Sequence, residues 1–159
     1  KSLKSFIALV KSTVSQEDIR EVINIMNEYL KVFMDDAEVW SELADIYIST
    51  LNYNKAIFCL EEVLLHTPNN YLVYIRIGDL LSSFNNTEAS SQALRYYSKS
   101  ILIKPTPRAF WGIIYIGRTF KKNDGRINDQ LMKSLKIATE NLKSYYSKSS
   151  IDELIPRFD

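Results

Sequence analysis

A single cysteine, Cys59, leaves the chain without a partner for an internal disulfide and without a thiolate cluster for a metal. A single histidine, His66, means that any catalysis would have to rest on carboxylates or lysines. Four glycines and four prolines in 159 residues give few places to turn, which argues against a turn-rich β-sandwich. Gly78, Gly112 and Gly117 stand alone, with no phosphate-cradling pattern around them. No run of about 18 apolar residues is present, so no membrane span is expected. The opening KSLKSFIALVKS has a short apolar core and no small-residue cleavage site, a poor signal peptide. With no methionine at its start, the chain reads as a piece of a longer protein, and its lone cysteine favours a reducing compartment.

What is present is a soluble balance: 46% apolar and 25% charged residues at a formal net charge of +1. That charge is too even for a dedicated nucleic-acid binder. Its distribution is uneven. Residues 1–93 carry 7 basic and 13 acidic side chains, and residues 94–159 carry 13 basic and 6 acidic. The split fits ordinary solvated helix faces, or a basic end that meets an acidic partner or a membrane surface.

The best-patterned segment is AEVWSELADIYISTLNYNKAIFCLEEVLLHTPNN, the 34 residues 37–70. Trp40, Leu43, Ala44 and Tyr47 share one helical face, and Asn52 and Tyr53 read as a turn. Ala56, Leu60 and Val63 form a second stripe, and Pro68 ends it. Small Ala44 and Ala56 let two helices approach, while the larger residues fill the space around them. This resembles the tetratricopeptide pattern of a Trp, a Leu, a small residue and a Tyr, then a small residue, a large one and a Pro.

The pattern repeats along the chain. Tyr74, Ile77, Gly78, Leu81, Ala93, Tyr97 and Pro105 give a second copy after a three-residue insertion, which is placed in a polar loop, SSFNNTEASS (82–91). Trp111, Ile114 and Tyr115 open a third copy. Its partner helix resumes near Leu131, after KKNDGRINDQ (121–130), with Ala138, Leu142 and Tyr145 as the stripe. Backward, Phe6, Leu9, Val10, Val22, Met26 and Tyr29 align as a degenerate first copy. The expected fold is therefore all-α, a right-handed superhelix of about four antiparallel helix pairs in a single domain, 1–159. The repeats run at about 3–36, 37–70, 71–107 and 108–150, followed by IDELIPRFD as a cap or tail. Trp40→Ala should cost about 3–5 kcal/mol if Trp40 fills an aromatic core site.

The filling of the second helix is informative. YNKAIFCLEEVLLHTPNN (53–70), ALRYYSKSILI (93–103) and AFWGI (109–113) resemble the family of cytosolic tetratricopeptide subunits (subunit 2) of the endoplasmic-reticulum membrane protein complex. The likeness spans roughly residues 35–118. It implies a role without chemistry of its own: a subunit on the cytosolic face of the endoplasmic reticulum, peripheral to the membrane, that holds other subunits together. The complex inserts tail-anchored and multi-pass proteins. The partners expected are other protein subunits, with no nucleic acid, small-molecule substrate, cofactor or metal. Other readings stay open: a free-standing adaptor for peptide segments of a chaperone or another partner, a helical-repeat enzyme subunit, and a regulatory domain of a larger protein.

Candidate sites follow from the pattern. Cys59 and His66 lie about 10 Å apart along one helix, too far for a nucleophile–base pair. Cys59 reads as a packed hydrophobe and His66 as a solvated residue near a helix end. Asn85-Asn86-Thr87 matches a glycosylation acceptor by chance. First helices of such repeats line a groove, which the resemblance places at Glu38, Ser41, Glu42, Asp45, Leu72, Ile75, Arg76, Asp79, Ala109, Gly112, Ile116 and Phe120. Chaperone-tail clamps need several cations there. One frame offers Ile7, Lys11, Glu42, Leu72 and Arg76, the other Ser41, Asp45, Arg76, Ala109 and Ile113, and neither gathers enough positive charge. A basic and hydrophobic partner segment suits the groove better.

Overall fold

The computed structural model describes residues 16–123 and 129–146. Among these residues the only regular elements are helices, with no strand. Helices α1 (Gln16–Val32), α2 (Ala37–Ser49) and α3 (Tyr53–His66) belong to one compact unit; α4 (Tyr71–Ser83), α5 (Thr87–Ile103), α6 (Pro107–Asn123) and α7 (Asp129–Tyr145) belong to another. The division falls after Pro68.

In the first unit α2 packs along α3, and α1 packs on α2. Asp36 starts α2 by accepting the Val39 amide at 3.2 Å, the exchange that satisfies an otherwise orphan donor. Tyr29 Oη donates to the other oxygen of Asp36 at 3.0 Å, tying the end of α1 to that cap. Leu43, Ala44, Tyr47, Ala56, Leu60 and Val63 are all buried, as are Val22 and Met26 of α1. Trp40 is half-buried: its Nε1 donates to the Met34 carbonyl at 2.9 Å and its ring meets Phe58 edge-on at 5.9 Å. The turn runs through Thr50–Asn52, and Tyr53 already belongs to α3. Leu51 takes a left-handed φ of 58° there, where the Asn52 amide reaches the Tyr47 carbonyl at 2.8 Å.

In the second unit α5 packs between α4 and α6, α6 packs on α7, and α4 also touches α6. Ile77, Gly78, Leu81, Ala93 and Tyr97 are buried; Tyr74 and Trp111 are half-buried. Pro68 and Pro105 lie exposed beyond helix ends, where a missing N–H costs nothing. The stripe of α6 runs through Phe110, Ile113, Ile114 and Gly117, leaving Tyr115 45% exposed. Ala138 and Leu142 are buried, while Tyr145 is exposed, with its ring 6.4 Å from that of Phe110.

The polar loop expected over 82–91 is much shorter. Helix α4 continues to Ser83 and α5 begins at Thr87, because Asn86 Oδ1 accepts the Ala89 amide at 2.7 Å and nucleates the helix. Ala89 and Ser90 then face the core. Likewise α6 runs to Asn123 and α7 starts at Asp129, inside the stretch expected as a loop over 121–130. Phe6, Ile7, Leu9, Val10 and Lys11, residues 124–128 and the tail lie outside the described residues.

Candidate protein-binding surface

The residues expected to line a groove sit in both units. On α2, Glu38 is exposed and Ser41, Glu42 and Asp45 are half-buried, spaced so that they share the face opposite Leu43 and Tyr47. Three carboxylates, Glu38, Glu42 and Asp45, lie on this helical face. On α4, Leu72 is 53% exposed and Arg76 and Asp79 are half-buried; on α6, so are Gly112 and Phe120. Ile75, Ala109 and Ile116 are at most 2% exposed and lie in the core. The reason is local: α4 has α6 as well as α5 for a neighbour, so rows that would otherwise be open are covered.

Gly112 has a packing role that repeat position alone does not reveal. The Tyr97 ring of α5 lies against it, and a Cβ added at Gly112 would fall 2.6 and 2.7 Å from Tyr97 Cε1 and Cε2. Gly78 of α4 is in similar contact: its Cβ would lie 2.8 Å from Cε1. One tyrosine thus occupies the space that two glycines leave, and three helices close on it.

The same tyrosine joins the core to the surface. Tyr97 Oη donates to Asp79 Oδ1 at 2.7 Å and lies 3.5 Å from Ser82 Oγ. Arg108, in the first turn of α6, donates to Asp79 Oδ2 through Nη2 at 2.5 Å and through Nε at 3.2 Å. Burial pushes the Tyr97 phenol well above its usual range, and its bond to Asp79 adds to this, so it stays a neutral donor. Asp79 is therefore held in place before any partner arrives. Arg108 was not among the residues that the repeat pattern offered. The available signal was an acidic residue in one repeat and a basic one at the start of the next, which spacing alone does not pair.

The remaining chemistry-bearing side chains are placed simply. Cys59 is 1% exposed, and burial, with Glu62 nearby, pushes its thiol up to about 12, which leaves it protonated and unreactive at neutral pH. His66 is exposed in the last turn of α3. Among the described residues no group of His, Cys, Asp and Glu is arranged to hold a metal, and no helix is long and apolar enough to cross a membrane.

The family model described as the EMC2 TPR-like repeat domain matches residues 3–106, reaching back into the degenerate first repeat. The chain is similar to ER membrane protein complex subunit 2 of Dictyostelium discoideum, 30% identical across 97% of this chain and 51% of that protein. It is also similar to ER membrane protein complex subunit 2 of Xenopus tropicalis, 34% identical across 75% of this chain and 40% of that one. The chain thus spans about half or less of the length of these relatives. A crystal structure of MamA protein superposes with a TM-score of 0.62 at 21% identity, covering 92% of this chain and 77% of that one. That likeness shows the fold alone.

Proposed function

The chain belongs to the EMC2 TPR-like repeat domain family, and from that premise we propose that it is a non-enzymatic scaffold of the endoplasmic-reticulum membrane protein complex. In this reading residues 1–159 act as one repeat domain on the cytosolic face of the endoplasmic reticulum, peripheral to the membrane. It holds segments of other subunits in a complex that inserts tail-anchored and multi-pass proteins. The family match, over nearly the whole of the first three repeats, carries the proposal. The shared names of the relatives support it. The acidic face of α2 supports the mode of binding: Glu38, Glu42 and Asp45 suit a partner segment with basic and hydrophobic residues.

Affinity purification of the tagged full-length protein from detergent-solubilised membranes tests this reading. Recovery together with other subunits of the complex is expected; recovery with chaperones alone, or with nothing, would overturn it. Reversing two charges on α2 (Glu42→Lys with Asp45→Lys) should reduce that recovery while leaving the helical circular dichroism intact. Undiminished recovery would remove the α2 face from partner binding. A chaperone C-terminal peptide should not bind; micromolar affinity that disappears in Arg76→Ala would favour the peptide-adaptor reading instead.

A further inference from the structure

Helix α5, the second helix of the repeat at 71–107, carries two cations with no ion-pair partner among the described residues. Gln92, Arg95, Lys99 and Leu102 lie along one exposed row of α5, opposite the buried Ala93, Tyr97 and Ser100. Gln92, Arg95 and Lys99, with Tyr74 and Tyr96, line an open depression of about 390 Å³. The two tyrosine rings form its apolar wall, with centroids 6.3 Å apart.

Among the described residues neither Arg95 nor Lys99 has an ion-pair partner. On α4 and α5 carboxylates are scarce. Glu88 is the only acidic residue of α5, two turns before Arg95, and Asp79 of α4 is committed to Tyr97 and Arg108. The row also lies in the basic part of the chain, where residues 94–159 hold 13 basic and 6 acidic side chains.

We propose that this row of α5 is a binding surface in its own right, which takes an acidic peptide segment of a protein partner. Arg95 offers a planar fork for a carboxylate, and Lys99 a second cation one turn along. The tyrosine wall takes an aromatic or aliphatic side chain of the same segment, and Leu102, 82% exposed, extends the apolar contact past Lys99. The depression is at the small end for a ligand site, so it holds one or two side chains while the rest of the segment lies along the helix. A concave site with an aromatic wall favours a peptide over a flat anionic bilayer. The proposal does not depend on which complex the chain joins.

The test is a selection from a random peptide library displayed on phage, using the chain as bait. Enriched peptides should be rich in Asp and Glu around an aromatic or aliphatic residue, and should bind more tightly at low salt. Reversal of both cations (Arg95→Glu with Lys99→Glu) should weaken the selected peptides about tenfold or more, with an unchanged melting curve. If that variant melts early, the neutral pair Arg95→Gln with Lys99→Gln serves in its place. No enrichment, enriched peptides without carboxylates, or binding indifferent to both pairs of substitutions would overturn the proposal. Sedimentation with phosphatidylserine vesicles that requires Arg95 and Lys99 would assign the row to a membrane and would equally overturn it.

Discussion

Gly112→Ala separates two accounts of α6 by the sign of its effect. At an open helical position, replacing Gly by Ala stabilises by about 0.5–1 kcal/mol, because the backbone loses less freedom on folding. Here the added methyl group would stand 2.6 and 2.7 Å from Tyr97 Cε1 and Cε2, and closer still to Cζ. The ring has nowhere to retreat. It is 2% exposed, Gly78 bounds it as well, and its hydroxyl is anchored on Asp79 at 2.7 Å. Overpacking of this kind costs about 1–3 kcal/mol. The steric cost outweighs the helical gain, so Gly112→Ala should destabilise by about 0.5–2 kcal/mol. Urea unfolding followed by tryptophan fluorescence measures this well, since Trp111 neighbours Gly112 on α6 and Trp40→Phe removes the signal of the first unit. A Tyr97→Leu background supplies the control. Without the ring, the added methyl group should stabilise, giving strong coupling in a double-mutant cycle. If Gly112→Ala stabilises the unmodified chain, or acts equally in both backgrounds, the packing argument is wrong.

Three further outcomes are expected. Ser100 Oγ is fully buried and has no hydrogen-bond partner among the described residues, so Ser100→Ala should raise stability by about 1 kcal/mol in the same assay. Leu51, 72% exposed at a φ of 58°, gains little from its side chain, and Leu51→Gly should stabilise by about 1 kcal/mol, read as a higher urea midpoint for the first unit. The thiol of Cys59 is raised from 9.0 to about 12 by burial, so the stability tied to its protonated form is whole below pH 9 and falls as the pH climbs toward 12. Unfolding midpoints measured across that range should fall less steeply in Cys59→Ala than in the unmodified chain.

The helix pair over 37–70 is legible because its markers lie at helical spacing, and both small residues, Ala44 and Ala56, are fully buried in helices that pack on each other. Trp40 was harder to place. The stripe shows which way it points, not how deeply it sits, and its half-buried indole bonded to Met34 should put the cost of Trp40→Ala nearer 2–3 kcal/mol. Over 82–91, Ser and Asn signal a loop by composition, whereas Asn86 starts a helix by the bond it makes. Its row marks Gly112 as a groove residue. Its reason for being glycine lies in Tyr97 on the preceding helix, a contact between repeats that no single repeat encodes. Ile75, Ala109 and Ile116 share that cause: a position is open or covered according to its neighbouring helix. Asp79 and Arg108 likewise meet across two repeats, 29 residues apart in sequence.

Site-specific photocrosslinking from the exposed and half-buried residues of α2 tests the scaffold account most directly. With a photoreactive amino acid at Ser41 of the full-length protein, irradiation of intact membranes should give adducts to other subunits of the endoplasmic-reticulum membrane protein complex. No adduct from Ser41 while the protein co-purifies with the complex would remove only the α2 face; adducts confined to chaperones, with no recovery of other subunits of that complex, would contradict the scaffold account.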